Sequence, residues 1–502
     1  LKAISLALTL LGVLLLRPLP VQMASPPLPT AQDFVEVSDF GLGDRLNSGS
    51  WSMQWWNGKL YVGTARAFEC WIWASLAAEF PGIPNPGFCP DPISLLDLQA
   101  EIWRYTPETQ DWERLFESPE ILPDPEVPGN FIARDVGFRD MTLFTEQDGT
   151  EALYVSAVFP HIVLPDDPPP PRLLRSVDGV TFEAVPQGED PEGLGATDRP
   201  SFSRLTVHDG RLYIIDGTIR GDGTVWASAN PEQGLDSFYQ VTTDDISVFE
   251  TASFNGYFYI GTNSDVISPT VAAPLAIPSM PLDAQRGEQP AVGGGEGYEV
   301  FRINTSGEPP YTLVPVVTNG GYLNDPSNGV LSMVEYDGAL YVGTDDPPEI
   351  IRVNPDDSWT LIVGDTRVLP NGDTVQPTSG FDSGFGWQYN IHVWRMIEHD
   401  GLLFAGTLDL SSALAGAPGV PDWLREQLGF DLYVSADGYE FTEITHRGLG
   451  FDAQMGVRGL ASTPAGLFVG SMAPAEGLLV WRLPSSSLTE KIYLPMVLKR
   501  TR

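Results

Sequence analysis

Residues 330–363, VLSMVEYDGALYVGTDDPPEIIRVNPDDSWTLIV, contain four short apolar segments separated by turns. The Asp337-Gly338 dipeptide between the first two segments is typical of the tight turn of a β-hairpin. The second segment, LYVGT at 340–344, is apolar on consecutive residues and ends in small ones. We therefore predict four antiparallel strands in this stretch, which together form one repeat.

The LYVGT segment has six counterparts elsewhere in the chain, each an apolar-aromatic run closed by a small residue. They begin at Leu60, Leu153, Leu212, Phe258, Leu403 and Leu467. Such self-similarity predicts a repeat architecture. Consecutive apolar residues are typical of a strand buried on both faces, as in a sheet held between two neighbouring sheets. We therefore predict an all-β fold, a seven-bladed β-propeller of four-stranded antiparallel blades.

The seventh repeat has three predicted strands and then Pro484, without an aromatic fourth strand. Near the N-terminus, residues 34–37 and 41–43 (FVEV and GLG) resemble residues 441–444 and 448–450 (FTEI and GLG) of the sixth repeat. We predict that this N-terminal strand completes the last blade and closes a propeller domain at 25–484. A closed ring leaves no strand edge free to pair between chains.

The first residues have the pattern of an export signal. Lys2 precedes the apolar run 3–16, and Arg17 and Pro18 end it. We predict a signal peptide at 1–24 with cleavage near Ala24, and an uncleaved anchor is the alternative. After its removal we expect no membrane-spanning segment, and we expect the protein outside the cell or in the cell envelope. Residues 485–502 form a C-terminal tail, either an extra edge strand or a processing tag.

The net charge of −38 arises from 66 acidic and 28 basic residues. A surface so acidic repels nucleic acid and anionic membranes, so we expect neither as a partner. The acidic pairs at 166–167, 345–346 and 356–357 leave calcium open as a ligand, although none has the spacing of a calcium loop. Chance pairing is the alternative, and the sequence identifies no cofactor.

The chain has two cysteines, Cys70 and Cys89. In an exported chain they are expected to form a disulfide. They are too few for a zinc site. The five histidines form no pattern of metal ligands or of a nucleophile. Two of them, His208 and His399, adjoin Asp-Gly turns, where we expect them to be solvated.

Residues 176–182 (SVDGVTF) and 435–441 (SADGYEF) look like Asp-boxes, each one residue short before the glycine. On these motifs and the four-stranded repeats, the chain resembles secreted bacterial propellers of the Kelch-like and Asp-box kinds. In those families the box is a turn between the third and fourth strands, on the side away from the ligand. The resemblance therefore implies a structural role for both copies and names no function, because one fold hosts many.

The innermost strands of a propeller surround a central channel, and one aligned position per blade is expected to face it. We assign this position to Ser52, Asp140, Arg204, Glu250, Ser332, Arg395 and Arg458. The three arginines are candidate ligands of a carboxylate on an acidic sugar or organic acid, because guanidinium groups bind carboxylates in bidentate pairs. Arginine triads of this kind are similar to those of sialidases, although those enzymes have six blades and the Arg-Ile-Pro motif is absent here.

Two other interpretations of these residues stay open. Asp140 and Glu250 could act as the general acid and base of a glycosidase. Alternatively, the three arginines pair with the two carboxylates and only neutralise the channel lining.

We therefore expect an exported binding or interaction module, monomeric, that recognises a glycan or a protein. The alternative is a carbohydrate-active enzyme, a glycosidase or lyase, that acts on acidic sugars at the channel. The insertions at 65–100 and 263–296 and the connection at 364–390 are further candidates for binding, because long loops on one face of a repeat scaffold commonly carry function.

Overall fold

The computed structural model describes residues 27–79, 85, 87–161, 163–164, 169–217, 223–243, 246–263, 297–323 and 329–485. Outside the described residues lie the predicted signal peptide at 1–24, nearly all of the insertion at 263–296 and the tail beyond residue 485. The acidic pair at 166–167 also lies outside them.

The described chain is predominantly β, and its main strands pair antiparallel in seven groups of four. The N-terminal strand is β1 (Val35–Glu36). Group 1 contains β2 (Asn47–Trp56), β3 (Lys59–Arg66), β4 (Glu101–Thr106) and β5 (Asp111–Glu117), and the hairpin β6 (Glu120–Pro123) and β7 (Phe131–Ala133) follows it. Group 2 contains β8 (Gly137–Thr145), β9 (Glu151–Val158), β10 (Leu173–Ser176) and β11 (Glu183–Ala184). Group 3 contains β12 (Ser201–His208), β13 (Arg211–Gly217), β14 (Thr224–Ser228) and β15 (Tyr239–Gln240).

The remaining groups follow the same order. Group 4 contains β16 (Val248–Phe254), β17 (Tyr257–Thr262), β18 (Val300–Ile303) and β19 (Leu313–Val317). Group 5 contains β20 (Val330–Tyr336), β21 (Ala339–Thr344), β22 (Ile350–Val353) and β23 (Trp359–Val363), and the hairpin β24 (Arg367–Val368) and β25 (Thr374–Val375) follows it. Group 6 contains β26 (Asn390–His399), β27 (Leu402–Asp409), β28 (Leu432–Ser435) and β29 (Thr442–Thr445). Group 7 contains β30 (Gly456–Thr463), β31 (Gly466–Met472) and β32 (Val480–Pro484).

The fourth strand of group 7 comes from the N-terminus. Strand β1 pairs antiparallel with β32, in the position that the sequence predicts for residues 34–37. The main-chain N–H of Val480 donates to the Ser38 hydroxyl at 2.8 Å, which extends this pairing. Phe34 is buried among the apolar side chains of group 7. The two ends of the described chain therefore share one sheet.

Short bridges link each group to the next. In each bridge, a residue at or near the end of one group's second strand pairs with a residue at the beginning of the next group's first strand. The pairs are Ala65 with Gly137, Val158 with Ser201, Gly223 with Val248, Asn263 with Gly329, Asp345 with His392, Leu408 with Gly456 and Met472 with Gly49. The last pair joins group 7 to group 1.

The glycine of the repeated LYVGT-like segment is explained by the close approach of the neighbouring group. A Cβ atom on Gly261 of group 4 would lie 2.5 Å from the Cβ atom of Val330 in group 5. A Cβ atom added to four other glycines would come similarly close to the next group. The pairs are Gly63 with Phe138, Gly343 with Val393, Gly406 with Val457 and Gly470 with Ser50. Any larger residue in these positions would force the second strand away from the first strand of the next group.

The two Asp-box-like turns have the structural role that the sequence implies. The Asp178 carboxylate accepts hydrogen bonds from the main-chain N–H groups of Val180 and Thr181 at 2.8 and 2.7 Å. These bonds lower the pKa of Asp178 to about 2. The Tyr61 hydroxyl of group 1 donates to the carbonyl of Gly179 at 3.2 Å, where any side chain on the glycine would collide with it.

The insertion after β3 contains a helix that the sequence did not predict, α1 (Phe68–Glu79). Its sequence, FECWIWASLAAE, is apolar at most positions, so it lacks the amphipathic period by which a surface helix is found. Cys70 of α1 forms the expected disulfide with Cys89. A second short helix, α2 (Asp422–Arg425), lies between β27 and β28. In the described parts of the chain, no helix has the length and hydrophobicity that crossing a bilayer requires.

Replacing Phe34 by Ala is expected to destabilise the protein by about 3–5 kcal/mol, because it removes a buried aromatic side chain from group 7. The matched control is Val35→Ala, since the Val35 side chain is 52% exposed. It should change the free energy of unfolding by less than about 0.5 kcal/mol. Urea denaturation of the three proteins measures both values, and equal stability of the wild type and Phe34→Ala would contradict the role of β1.

Replacing Gly261 by Ala should cost about 3 kcal/mol, because the new methyl group would overlap Val330 of the next group. Gly58→Ala is the control. Gly58 has a φ of 76° and open space around it, so it carries only the backbone cost of about 1 kcal/mol. Equal losses of stability in the two variants would show that the close approach at Gly261 is unimportant.

Candidate functional site

Each first strand carries a β-bulge near its beginning, at the same place in every group. The bulged residues are Trp51, Arg139, Ser203, Phe249, Leu331, Trp394 and Arg458. The residues that follow them are Ser52, Asp140, Arg204, Glu250, Ser332, Arg395 and Gly459. A bulge bends its strand and redirects the side chains beside it, so charged residues at these two positions can converge.

The register differs from the sequence alignment at one of the seven positions. Gly459, which pairs with Gly470, occupies the place that the sequence analysis gave to Arg458. Arg458 is instead the bulged residue, equivalent to Arg139 of group 2. Counting back from the signature glycine of each second strand would have identified Gly459, whereas no spacing in the sequence singles out Arg139, which sequence reasoning missed.

The first strands of five groups bring six charged side chains together, which we call the arginine cluster. Its members are Arg139, Arg204, Arg395, Arg458, Asp140 and Glu250. The five candidate residues predicted from the sequence are therefore all present in it. Four positive charges face two negative ones, so the cluster carries a net charge of about +2 inside a protein of net charge −38.

Arg204 is the arginine that pairs most directly with the carboxylates. Its Nε lies 2.6 Å from Oε1 of Glu250, and its Nη1 lies 3.6 Å from Oδ2 of Asp140. Arg395 is farther away, with Nη1 3.9 Å from Oε2 of Glu250. Its Nη1 instead donates to the main-chain carbonyls of Leu331 and Trp394 at 2.9 and 3.0 Å. Arg204 thus takes most of the available negative charge.

The other two arginines lie against aromatic rings. The guanidinium of Arg139 lies 5.4 Å from the ring centre of Phe249, and that of Arg458 lies 5.1 Å from the ring of Trp394. The Arg139 guanidinium also donates to the Ser201 hydroxyl at 3.2 Å. Arg458 is only 5% exposed, and its Nε and Nη1 have no hydrogen-bond partner among the described residues.

The surroundings disfavour the charged form of three of the arginines. Burial, with repulsion from Arg395 and other arginines, holds the pKa of Arg458 well below its ordinary value. Burial and a neighbouring arginine lower the pKa of Arg139 and of Arg395 to about 10. Burial raises the pKa of Glu250, against the opposing effect of Arg204 and Arg395. The positive charge of the cluster is therefore incompletely compensated.

The two carboxylates also accept hydrogen bonds from main-chain N–H groups. Asp140 accepts from Met141 at 2.9 Å and from Leu205 of the next group at 2.8 Å. Glu250 accepts from Thr251 at 3.0 Å. Both side chains therefore fix the geometry of the first strands as well as the position of Arg204.

His208 and His399 are not solvated, contrary to the sequence expectation. Each is buried, and its Nδ1 is bonded to a hydroxyl of a neighbouring group, Ser253 at 2.8 Å and Ser462 at 3.0 Å respectively. Burial lowers the pKa of both imidazoles. The Asp-Gly turns beside them are at the surface, but the strands turn these side chains inward.

The acidic pair at 356–357 already has protein partners. Asp357 forms an ion pair with Arg302 at 2.8 Å, and Asp356 accepts from the Ser358 hydroxyl at 2.6 Å. Where the structure describes the chain, no three His, Cys, Asp or Glu side chains cluster in a way that could hold a metal ion.

No protein-family model matches the chain, and no curated protein matches it. Similar solved structures include virginiamycin B lyase from Staphylococcus aureus, at 9% identity and a TM-score of 0.43, over 89% of this chain and 99% of that one. They also include the designed Ika8 protein, at 9% identity and a TM-score of 0.39 over 89% and 99% of the two chains. A putative 6-phosphogluconolactonase from Bacteroides uniformis has 10% identity and a TM-score of 0.39 over 76% and 87%. Likeness at this level assigns no activity to the chain.

Replacing Glu250 by Gln is expected to destabilise the protein by about 3 kcal/mol, because it removes the buried carboxylate that pairs with the partly buried Arg204 and lies near Arg395. Glu443→Gln is the control. The Glu443 side chain is 44% exposed beside His446, so its loss should cost less than about 1 kcal/mol. Chemical denaturation at pH 7 measures the free energy of unfolding of the two variants and the wild type. Equal losses of stability in the two variants would mean that Glu250 does not stabilise the cluster.

Proposed function

We propose that the chain is a closed, seven-bladed β-propeller that binds an anionic ligand at the arginine cluster, and that it acts as an exported binding module. The observation that carries the proposal is the buried guanidinium of Arg458, two of whose nitrogen atoms have no partner in the described chain. The ligand we propose carries a carboxylate, as on an acidic sugar of a glycan or an organic acid.

Closure of the ring is supported by the links between groups. Bridges connect each group to the next, and the bridge of Gly49 to Met472 connects the last to the first. The pairing of β1 with β32 gives group 7 its fourth strand. The close approach of Gly470 to Ser50 at this junction matches the approaches at four other junctions. In this proposal, the groups are blades and the first strands line the central channel.

An anionic ligand is supported by the charge balance of the cluster. Buried charges are ordinarily paired, because removing a charge from water without compensation is costly. Here both carboxylates lie closest to Arg204, Glu250 also lies near Arg395, and Arg458 forms no ion pair with either among the described residues. A ligand carboxylate next to Arg458 would supply acceptors for its free N–H groups in charge-assisted hydrogen bonds.

Access to the cluster is supported by the partial exposure of its members. The side chains of Arg204, Arg395 and Asp140 are 22%, 16% and 15% exposed. Solvent therefore reaches the cluster, while Arg458 and Glu250 lie deeper. A small carboxylate that enters from solvent would meet Arg204 and Arg395 before it meets Arg458.

Binding is favoured over catalysis by the state of the two carboxylates. A general acid or base must be free to exchange a proton with the substrate. Asp140 and Glu250 are instead engaged by main-chain N–H groups and by Arg204. A glycosidase or lyase that acts on acidic sugars stays the second candidate, and the experiment below also measures turnover.

Export is supported by the disulfide between Cys70 and Cys89, since disulfides persist mainly in oxidising compartments. The acidic surface would also exclude many anions from non-specific binding. A cationic cluster within such a protein would act as a local, selective site.

The test is titration calorimetry with glucuronate and citrate as probes and glucose as the neutral comparison. We expect the wild type to bind at least one of the two carboxylates and not glucose. Arg458→Met should weaken that binding about tenfold or more, because it removes a charge-assisted contact. The same variant should leave the melting temperature unchanged or raised, since it removes an unpaired buried charge.

Arg447→Met is the matched control, because Arg447 is a half-exposed arginine paired with Asp452 at 3.0 Å. It should bind the probes as the wild type does. Failure of both carboxylates to bind the wild type, or equal binding by wild type and Arg458→Met, would reject the cluster as a site. Cleavage of a polyuronide by the wild type would favour the enzyme instead.

A further inference from the structure

A buried asparagine in group 1 organises a charged site at the beginning of β2. Asn47 Nδ2 donates to the carbonyl of Gly41 at 3.0 Å and to Oε2 of Glu101 at 2.6 Å. Both amide hydrogens are thereby used, so the remaining atom is the oxygen. This Oδ1 accepts from Nη1 of Arg66 at 3.1 Å, and Arg66 is the cross-strand partner of Asn47. The site therefore has an amide, an acid and a cation.

Group 6 repeats this arrangement with two different residues. Asn390 Nδ2 donates to the carbonyl of Gly384 at 3.0 Å and to Oδ2 of Asp431 at 2.6 Å. Gly384, like Gly41, is in the left-handed conformation, with φ near 60°. The cross-strand partner of Asn390 is Asp409. Asp431 thus corresponds to Glu101, and an aspartate takes the place of the Arg66 cation.

With an aspartate in place of the arginine, two oxygen atoms of group 6 have no donor among the described residues. Asn390 Oδ1 and Asp431 Oδ1 are buried and have no hydrogen-bond partner among the described residues, and both side chains belong to residues that are 2% exposed. Two hydrogen bonds fix the orientation of the Asn390 amide, so Oδ1 is directed toward the place that a cation fills in group 1. In the described part of the chain, neither Asp409 nor Asp431 forms an ion pair with a basic side chain.

The counterparts of Asp431 in two other groups have a basic partner. Glu101 of group 1 pairs with Arg114 at 2.7 Å, and Glu349 of group 5 pairs with Arg367. In all three groups the main-chain N–H of this acid donates to a threonine hydroxyl of the second strand, at 2.9–3.0 Å. At equivalent positions, a basic side chain pairs with the acid in groups 1 and 5, and no described basic side chain does so in group 6.

We propose that group 6 holds a metal cation of the hard, oxygen-preferring class, foremost Ca²⁺, between Asp409, Asp431 and the amide oxygen of Asn390. Carboxylate and amide oxygens are the ligands that Ca²⁺ prefers, and further main-chain carbonyls or waters complete its shell of six to eight. The two carboxylates of group 6 would balance a divalent cation. In group 5, by comparison, the single guanidinium of Arg367 balances the single carboxylate of Glu349. The site is separate from the arginine cluster and independent of its proposed function.

The bound cation would join two long connections. Trp387, in the connection before β26, donates from Nε1 to Oδ2 of Asp409 at 3.0 Å. The N–H of Ser411, in the connection after β27, donates to Oδ1 of Asp409 at 2.6 Å.

The experiment is thermal unfolding of the full chain after dialysis against EDTA, with CaCl₂ or MgCl₂ added back at pH 8. We expect saturating Ca²⁺ to raise the melting temperature of the wild type by about 5 °C or more. Asp409→Asn should lose this shift. Asp452→Asn, which removes a half-exposed acid of the same region, should keep it.

Metal analysis of the wild type keeps the proposal testable if Asp409→Asn does not fold. We expect about one Ca²⁺ per chain after dialysis against micromolar CaCl₂. Absence of bound metal, or an equal Ca²⁺ shift in wild type and Asp409→Asn, would overturn the proposal.

Discussion

The close approach of neighbouring sheets where a second strand ends, seen at five of the seven junctions, is the constraint on which the rest of the structure depends. At five junctions a glycine faces the residue that precedes the bulge of the next first strand. A Cβ atom there would overlap its neighbour, so the small residue of the repeated segment is needed for packing between groups. The apolar residues around it are consecutive because both faces of the sheet are covered.

The same approach brings the bulged parts of the first strands together, and this accounts for the arginine cluster. Side chains from groups 2, 3, 4, 6 and 7 meet there, although their positions in the chain are far apart. The carboxylates of Asp140 and Glu250 accept hydrogen bonds from main-chain N–H groups, and they also pair with the guanidinium of Arg204. The remaining positive charge is what makes an anion a reasonable ligand for a protein that is otherwise acidic.

Repetition also allows one group to serve as a reference for another. The amide and acid of group 1 and those of group 6 have the same hydrogen bonds, within the same turn geometry. The difference between Arg66 and Asp409 is therefore a difference in charge on a shared frame. In the arginine cluster, Arg139 and Arg458 are likewise equivalent, because each is the bulged residue of the first strand in its group.

The sequence by itself determined the repeats, the strands, the N-terminal strand that joins group 7, the disulfide and the structural role of the Asp-box-like turns. These features are local, or they depend on a pattern that recurs along the chain. It also named Arg204, Arg395, Asp140 and Glu250, because they occupy one aligned position of the repeat. Only the tertiary structure decided the place of Arg458, the membership of Arg139, the burial of His208 and the meeting of Asn390 with Asp409 and Asp431. Each of these depends on a bulge or on contacts between strands, and no periodicity in the sequence records them.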